Sequence, residues 1–399
     1  MRRLTAMVLM GTRPEAVKMA PLIAELRRRS LWDVEVVTTG QHPQMVDPIL
    51  SAFGIGPQHR LDAFSPGQSL PELSARLLGV MPEVLRHGKP DYLFVQGDTS
   101  SSFVAALCAF YEGIPVVHVE AGLRTDDPAN PFPEEMNRRL ISRLASIHLS
   151  PTSTAASALV RENVSRESVW VTGNTVIDAL HDVVARLSPG PRSERRPGER
   201  LLLVTCHRRE SWGKPLDDVG DAIARLAADR SDLRIIIPMH PNPIVRRSLV
   251  PKLESFANVD LLEPLAYLEF AAMMNESDII LTDSGGVQEE GPALGKPVLV
   301  MRENTERPEG VQAGTALLVG TDPAEIYRHV SALLDDPVAY AAMARAVNPY
   351  GDGRAAVRSV DAVEFHAGLR SRPPDEFRPG ESASLSTAVT TRQRRCRES

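Results

Sequence analysis

Seven segments of this chain carry side chains able to handle a phosphorylated substrate or to move protons. Gly11-Thr12-Arg13-Pro14-Glu15-Ala16-Val17-Lys18 follows an apolar run. Glycine permits a tight turn, Pro14 suits a first helical position, and a helix N-terminus with Arg13 and Lys18 favours an anion. From these residues alone, a plain strand–helix turn with two solvated cations is an equal reading. Asp98 closes Tyr92–Gln96 within Gly97-Asp98-Thr99, and Glu120 closes Pro115–Val119. Taken singly, Asp98 reads as a helix cap ahead of Thr-Ser-Ser. Glu120 does not, since glutamate caps poorly and this one ends an apolar strand.

Pro131-Phe-Pro-Glu134-Glu135-Met-Asn-Arg138 opens a helix, where first-turn acids are ordinarily structural. Cys206-His207-Arg208-Arg209 places a histidine and two cations at a strand end, which suits a pyrophosphate, whereas the Cys206 thiol reads as packing. Thr282-Asp283-Ser284-Gly285-Gly286-Val287-Gln288-Glu289-Glu290 is the most telling. A strand ends, Ser-Gly-Gly offers a hydroxyl and backbone N–H groups, and a helix begins, an arrangement that cradles phosphate. Glu290 lies one turn on, in reach of two ribose hydroxyls, and Arg302–Arg307 returns positive charge.

Positioning these groups requires strand ends. Short β-rich runs alternate with helical patterns, the signature of parallel α/β units. The first half offers Thr5–Met10, Glu35–Thr39, Tyr92–Gln96, Pro115–Val119, His148–Leu149 and Val169–Val171 as strands. The second restarts with Leu201–Thr205, Arg234–Ile237, Val259–Leu262, Ile279–Thr282, Val298–Met301 and Leu317–Val319. Each half opens with a helix whose apolar residues are spaced 3, 4, 3: Ala16, Met19, Ile23, Leu26, then Leu216, Val219, Ile223, Leu226. The expected fold is α/β, two Rossmann-like domains facing a central cleft, with ligands at the carboxyl ends of the strands. Residues 1–172 form the first domain and 173–352 the second. Ser188–Glu199, polar and rich in Pro and Gly, reads as a surface loop, and 371–399 as a disordered tail.

Composition narrows the class. With 399 residues, 43% hydrophobic, and a net charge of -6, the chain reads as a globular enzyme without the basic face of a nucleic-acid binder. Three cysteines without ligand spacing suggest neither disulfides nor a metal site. The missing second and third glycines at Gly11 argue against a nicotinamide fingerprint. No apolar stretch is long enough to span a bilayer, and the expected location is cytoplasmic.

With these motifs in view, the chain resembles the non-hydrolysing UDP-N-acetylglucosamine 2-epimerases. The resemblance runs from Thr5 to Leu369 through GTRPEAVKMAP (11–21), QGDT (96–99), FYEGIPVVHVEAGLRT (110–125), PFPEEMNR (131–138), GNTVIDAL (173–180), HRRES (207–211), TDSGGVQEEGPALGKPVLVMR (282–302), TERPE (305–309) and NPYGDGRA (348–355). It implies a glycosyltransferase-B architecture, a homodimer, no cofactor, and a last helix (353–370) returning to the first domain. It places diphosphate near Arg13, His207, Ser284, Gly285 and Gly286, ribose at Glu290 and uracil at Phe270. Lys18, Asp98, Glu120, Glu134 and Arg307 are implied around the sugar, with His207 aiding departure of the diphosphate. A regulatory sugar-nucleotide pocket is implied at Gln41, His42, Gln44, Gln68 and His240. Pro43 and Gly67 stand there where some relatives carry arginine.

The implied reaction interconverts UDP-N-acetylglucosamine and UDP-N-acetylmannosamine through elimination of UDP, a 2-acetamidoglucal and re-addition. The rivals are a hydrolysing epimerase that releases free N-acetylmannosamine and UDP, a glycosyltransferase of the same fold, and a non-enzymatic sugar-nucleotide sensor.

Overall fold

The computed structural model describes residues 2–65, 67–125, 127–187, 195–208 and 211–381. The described chain divides into two compact units, the residues up to Ala179 with Gly351–Phe377, and Leu180–Tyr350 with Arg378–Glu381.

In the first unit seven parallel strands stand in the order β3-β2-β1-β4-β5-β6-β7. They are β1 (Leu4–Met10), β2 (Trp32–Thr38), β3 (His59–Arg60), β4 (Tyr92–Gln96), β5 (Val116–Val119), β6 (Ile147–Ser150) and β7 (Val169–Val171). Met7, Leu9, Val37, Leu93 and Val95 meet Leu73, Leu77, Met81 and Leu85 of the helix Leu70–Gly88 in one core. On the helix Arg13–Arg28 all four residues of the 3, 4, 3 stripe are fully buried. β3 is absent from the sequence reading, because two residues at a sheet edge are too short to show alternation.

The second unit repeats the plan with six parallel strands in the order β10-β9-β8-β11-β12-β13. These are β8 (Arg200–Thr205), β9 (Leu233–Pro238), β10 (Val259–Leu262), β11 (Ile279–Thr282), β12 (Val298–Val300) and β13 (Ala316–Leu318). Its core joins Leu202, Val204, Ile235 and Leu281 to Leu216, Val219, Ile223 and Leu226 of the helix Lys214–Asp229.

Strand order fixes where chemistry can sit. In each sheet it reverses once, between β1 and β4 and between β8 and β11, and the crevice at such a switch point opens beyond the strands' carboxyl ends. Asp98 follows β4, and Arg13 follows β1; His207 follows β8, and Asp283 follows β11.

Two boundaries differ from the sequence reading. The chain leaves the first unit inside the helix Thr175–Arg186, because Asn174 and Asp178 are bonded to first-unit residues. The tail does not begin at 371. Phe377 is buried with Ala121, Leu159, Val169 and Val171, its N–H donates to Val171, and Glu376 pairs with Arg166. Residues 382–399, and 188–194 of the expected loop, lie outside the described residues. No described helix is long and apolar enough to cross a membrane.

Candidate active site

The first unit gathers its acids around one switch point. Glu15 is buried and ties the two loops together there. One oxygen accepts from the Gly11 and Thr12 amides (2.9 and 2.7 Å) and the Thr12 hydroxyl, and the other from the hydroxyls of Thr99 and Ser102 (2.8 and 2.9 Å). The Arg13 loop and the Asp98 loop are therefore held by a single carboxylate. Gly11 cannot be replaced without cost, since a Cβ there would collide with the Thr39 hydroxyl. Arg13 itself is exposed at the start of its helix.

Asp98 is not a helix cap. Thr99 takes that duty, its hydroxyl accepting from the Ser102 amide at 3.0 Å. The Asp98 carboxylate instead meets Arg138 Nη2 at 2.5 Å, and Asn137 donates to its backbone carbonyl. Burial raises the proton affinity of Asp98 above the ordinary carboxylate value; Glu120 and Glu134 add to this, while Arg138 and Lys18 act against it. Glu120 is buried at φ +61°, a left-handed conformation that costs a non-glycine residue about 1–2 kcal/mol. Lys18 Nζ lies 2.6 Å from both its oxygens, Asn174 donates at 2.9 Å, and Gln96 donates as well. Asp98, Glu120, Lys18 and Glu134 thus form one electrostatic cluster. The two first-turn glutamates part company: Glu135 is wholly buried and binds Arg139 and the Thr125 amide, whereas Glu134 is only half-buried and faces Asp98.

The second unit builds a different site. Asp283 is buried and accepts from the His207 and Arg208 amides at 2.7 and 2.8 Å, while His207 Nδ1 lies 2.9 Å from its other oxygen. Burial would raise the Asp283 pKa, but these partners outweigh it and hold it below 3.8. The Ser284 amide is taken by the Thr282 hydroxyl, so the cradle consists of the Gly285 and Gly286 amides, which meet no acceptor among the described residues. Arg208 stands over them, with Nη2 3.5 Å from where a Gly285 Cβ would lie. Arg208 and Arg302 share Glu306, whose pKa is lowered to about 2: burial raises it, and the two guanidinium groups and a backbone N–H overcome that.

Arg307 is bonded through Nε to buried Glu289, and its loop is fixed by the Tyr350 hydroxyl, which donates to the Arg307 carbonyl and accepts from Gly310. Glu290 meets the Tyr267 hydroxyl at 3.3 Å, and half-buried Phe270 follows one turn later on the same helix.

Of the residues expected in a regulatory pocket, Gln41 and His42 line one hollow at the ends of β1 and β2 with Thr38, Gly40 and Arg60. Gln41 accepts from Ser101, and His42 packs on Phe64. Gln44 is exposed, and Gln68 bonds within its own loop to Ser65 and Ala63. His240 belongs to the second unit, where it stacks on His207 with ring centroids 6.0 Å apart. Arg138, Asn174, Gln96, Asp283 and Tyr267 carried no role in the sequence reading. Only Arg138 left a signal, four residues after Glu134 on one helix face.

The sequence profile of the family described as UDP-N-acetylglucosamine 2-epimerase matches residues 24–364. The UDP-N-acetylglucosamine 2-epimerase of Bacillus subtilis is 45% identical over 94% of this chain and 99% of its own, and that of Escherichia coli is 47% identical over 89% and 96%. Among solved structures, the Neisseria meningitidis UDP-GlcNAc 2-epimerase bound to UDP-GlcNAc shares 41% identity and a TM-score of 0.82, covering 92% of this chain and all of that one. The Methanocaldococcus jannaschii enzyme in complex with UDP-GlcNAc and UDP shares 31% identity and a TM-score of 0.75, covering 91% of this chain and all of that one.

Proposed function

The chain belongs to the UDP-N-acetylglucosamine 2-epimerase family, and from that premise we propose that it inverts carbon 2 of UDP-N-acetylglucosamine to give UDP-N-acetylmannosamine, reversibly and without releasing free sugar. The observation that carries this reading is the cluster of Asp98, Glu120 and Glu134 with Lys18 and Arg138 at the first unit's switch point.

Carbon 2 is not next to a carbonyl, so its proton is not acidic enough for simple removal and return. In the proposed route a carboxylate takes that proton as the bond from C1 to the diphosphate oxygen breaks. The electron pair of the C–H bond forms C1=C2, and UDP leaves with the other pair. The product is 2-acetamidoglucal. Attack of the diphosphate oxygen on C1, with a proton delivered to the opposite face of C2, completes the inversion. Two faces need at least two acid–base groups, and the cluster offers three carboxylates.

The leaving diphosphate gains charge, which the Gly285 and Gly286 amides, His207, Arg13 and Arg307 stabilise in this reading. Ser284 completes the cradle through its hydroxyl, Glu290 takes the ribose and Phe270 the uracil. The family resemblance carries a cytoplasmic homodimer into the same proposal, with no nicotinamide or metal.

The test is purified protein incubated with UDP-N-acetylglucosamine in deuterated water, followed by proton NMR. UDP-N-acetylmannosamine with deuterium at C2 supports the reading. Free N-acetylmannosamine with UDP supports the hydrolysing rival and overturns it.

A further inference from the structure

Glu120 holds a backbone conformation that its side chain does not favour, so something must keep its carboxylate in place. Lys18 and Gln96 reach it from the helix Arg13–Arg28 and from β4. The third donor, Asn174, comes from the segment through which the chain leaves the first unit, and its amide is used at both ends. Oδ1 accepts the Val176 amide at 3.2 Å at the start of the helix Thr175–Arg186. Nδ2 must then point the other way, and it donates to Glu120 Oε1 at 2.9 Å. Asn174 is 2% exposed, so no solvent replaces either bond. Its carbonyl also accepts from Ile177 and lies 3.4 Å from where a Cβ on Gly351 would stand.

We infer that Asn174 is a positioning residue for the epimerisation, holding the Glu120 carboxylate at its working angle through Nδ2 while Oδ1 caps the helix. The inference rests on the proposed reaction. Its value lies in the separation of the two duties. Asn174→Asp keeps a good capping oxygen but turns the donor into a second carboxylate facing Glu120. Asn174→Ala loses both.

Two carboxylates in hydrogen-bond contact share a proton and titrate upward. Among the described residues, the charged and titratable groups around Glu120 include Lys18, Asp98, Glu134 of the same cluster, and His118 on β5, whose pKa burial lowers to about 4, so His118 stays neutral across the window used below. At pH 8 the Asn174→Asp variant carries the added charge and loses its donor. As the pH falls, a shared proton restores a donor toward Glu120.

The experiment measures kcat and KM for UDP-N-acetylglucosamine from pH 5.5 to 8, with melting temperature and UDP affinity for each variant. We expect Asn174→Asp to stay folded at 25 °C with a melting temperature that is lowered at pH 8 and recovers as the pH falls, to bind UDP with unchanged affinity, and to lose roughly 100-fold in kcat at pH 8 with little change in KM. Its kcat relative to wild type should then rise about tenfold by pH 5.5. Asn174→Ala should lose kcat without that recovery. A stable Asn174→Asp variant with wild-type kcat at every pH, or a loss independent of pH and matched by Asn174→Ala, overturns the positioning role alone. Wild-type protein that leaves the sugar nucleotide unchanged overturns the reaction and the inference with it.

Discussion

Asp283 accepts from the His207 backbone amide at 2.7 Å through one oxygen while its other oxygen lies 2.9 Å from ring Nδ1, so a carboxylate from the neighbouring β11 flanks the imidazole at the end of β8. Nε2 is the nitrogen left to face a ligand. Asp283→Asn keeps the volume but replaces one oxygen with a donor facing other donors. It should lower stability by about 1–3 kcal/mol and weaken UDP binding. Because the folded pKa of Asp283 is depressed, its contribution is complete above the ordinary carboxylate value of 3.8 and is lost as pH falls toward the lower folded value. Urea unfolding at pH 7 and pH 3 checks the sign: the gap between wild type and variant should shrink at pH 3.

Asp178 has the opposite linkage. Its carboxylate accepts the Ala355 and Ala356 amides at 3.1 and 2.8 Å, yet burial raises its pKa to about 6. The folded state therefore binds the proton more tightly than the unfolded chain. Its contribution is fully present below the unfolded value of 3.8 and declines as pH rises to about 6. Asp178→Asn should flatten the stability–pH curve between pH 4 and 6, read by thermal unfolding. A slope there unchanged by the substitution refutes the assignment.

The acid–base cluster predicts both magnitude and pH. Asp98→Asn, Glu120→Gln and Glu134→Gln should each cut turnover by roughly 100-fold or more while folding survives. Near-full turnover in all three sinks the assignment. Arg138 opposes the upward shift of Asp98 from 2.5 Å away, so Arg138→Met should move the acid limb of the kcat profile to higher pH. A limb that stays put would mean that Asp98 does not set it.

The cradle separates binding from folding. Among the described residues a Cβ on Gly285 would meet only Arg208 Nη2, at 3.5 Å, so Gly285→Ala should fold normally. It intrudes where the diphosphate is proposed to lie, and UDP affinity by calorimetry should fall at least about tenfold, the equivalent of 1.4 kcal/mol. Arg307→Ala is a less clean probe, because it strips the guanidinium from buried Glu289 and destabilises the loop as well.

Twelve strands announced themselves because buried parallel strands are short apolar runs bounded by turns, and the acids at their ends were visible for the same reason. β3 gave no such signal. Taken alone, Asp98 reads as a cap because Asp and Thr are both good caps, and only the register of the helix Ser100–Tyr111 decides that Thr99 takes that duty. Asn174, 54 positions from Glu120, and Asp283, 76 from His207, meet their partners only through sheet order, which local pattern does not encode. Phe377 illustrates the converse. A lone aromatic in a polar, Pro-rich stretch carries no periodicity, yet it fills the apolar space beside β7.

The hollow at the ends of β1 and β2 bears on regulation. Family resemblance places a regulatory sugar nucleotide at Gln41, His42, Gln44, Gln68 and His240, and we propose that in this protein such a site binds weakly. Pro43 contributes no cation and no backbone N–H, and Gly67 contributes no side chain. Three of the polar groups that remain are already engaged: Gln41 accepts from Ser101, Gln68 bonds at both ends within its loop, and Arg60 lies 2.9 Å from Asp47. The Arg60 pair is exposed and opposes a phosphate only weakly. The missing guanidinium groups matter more. Each absent charge-assisted bond to a phosphate costs about 1.5–3 kcal/mol, or roughly 10- to 150-fold in affinity. Coupling between sites is commonly only about 1–3 kcal/mol, so one such loss offsets most of what an effector contributes at ordinary concentration. The measurement is the reverse reaction from UDP-N-acetylmannosamine, with and without a trace of UDP-N-acetylglucosamine. Turnover that starts without a lag in the absence of the effector is the expected outcome, and a strict requirement for micromolar effector would refute it. Restoring a cation by Gly67→Arg, at an exposed turn whose φ of +79° strains any side chain placed there, should then increase the response to effector in the reverse reaction.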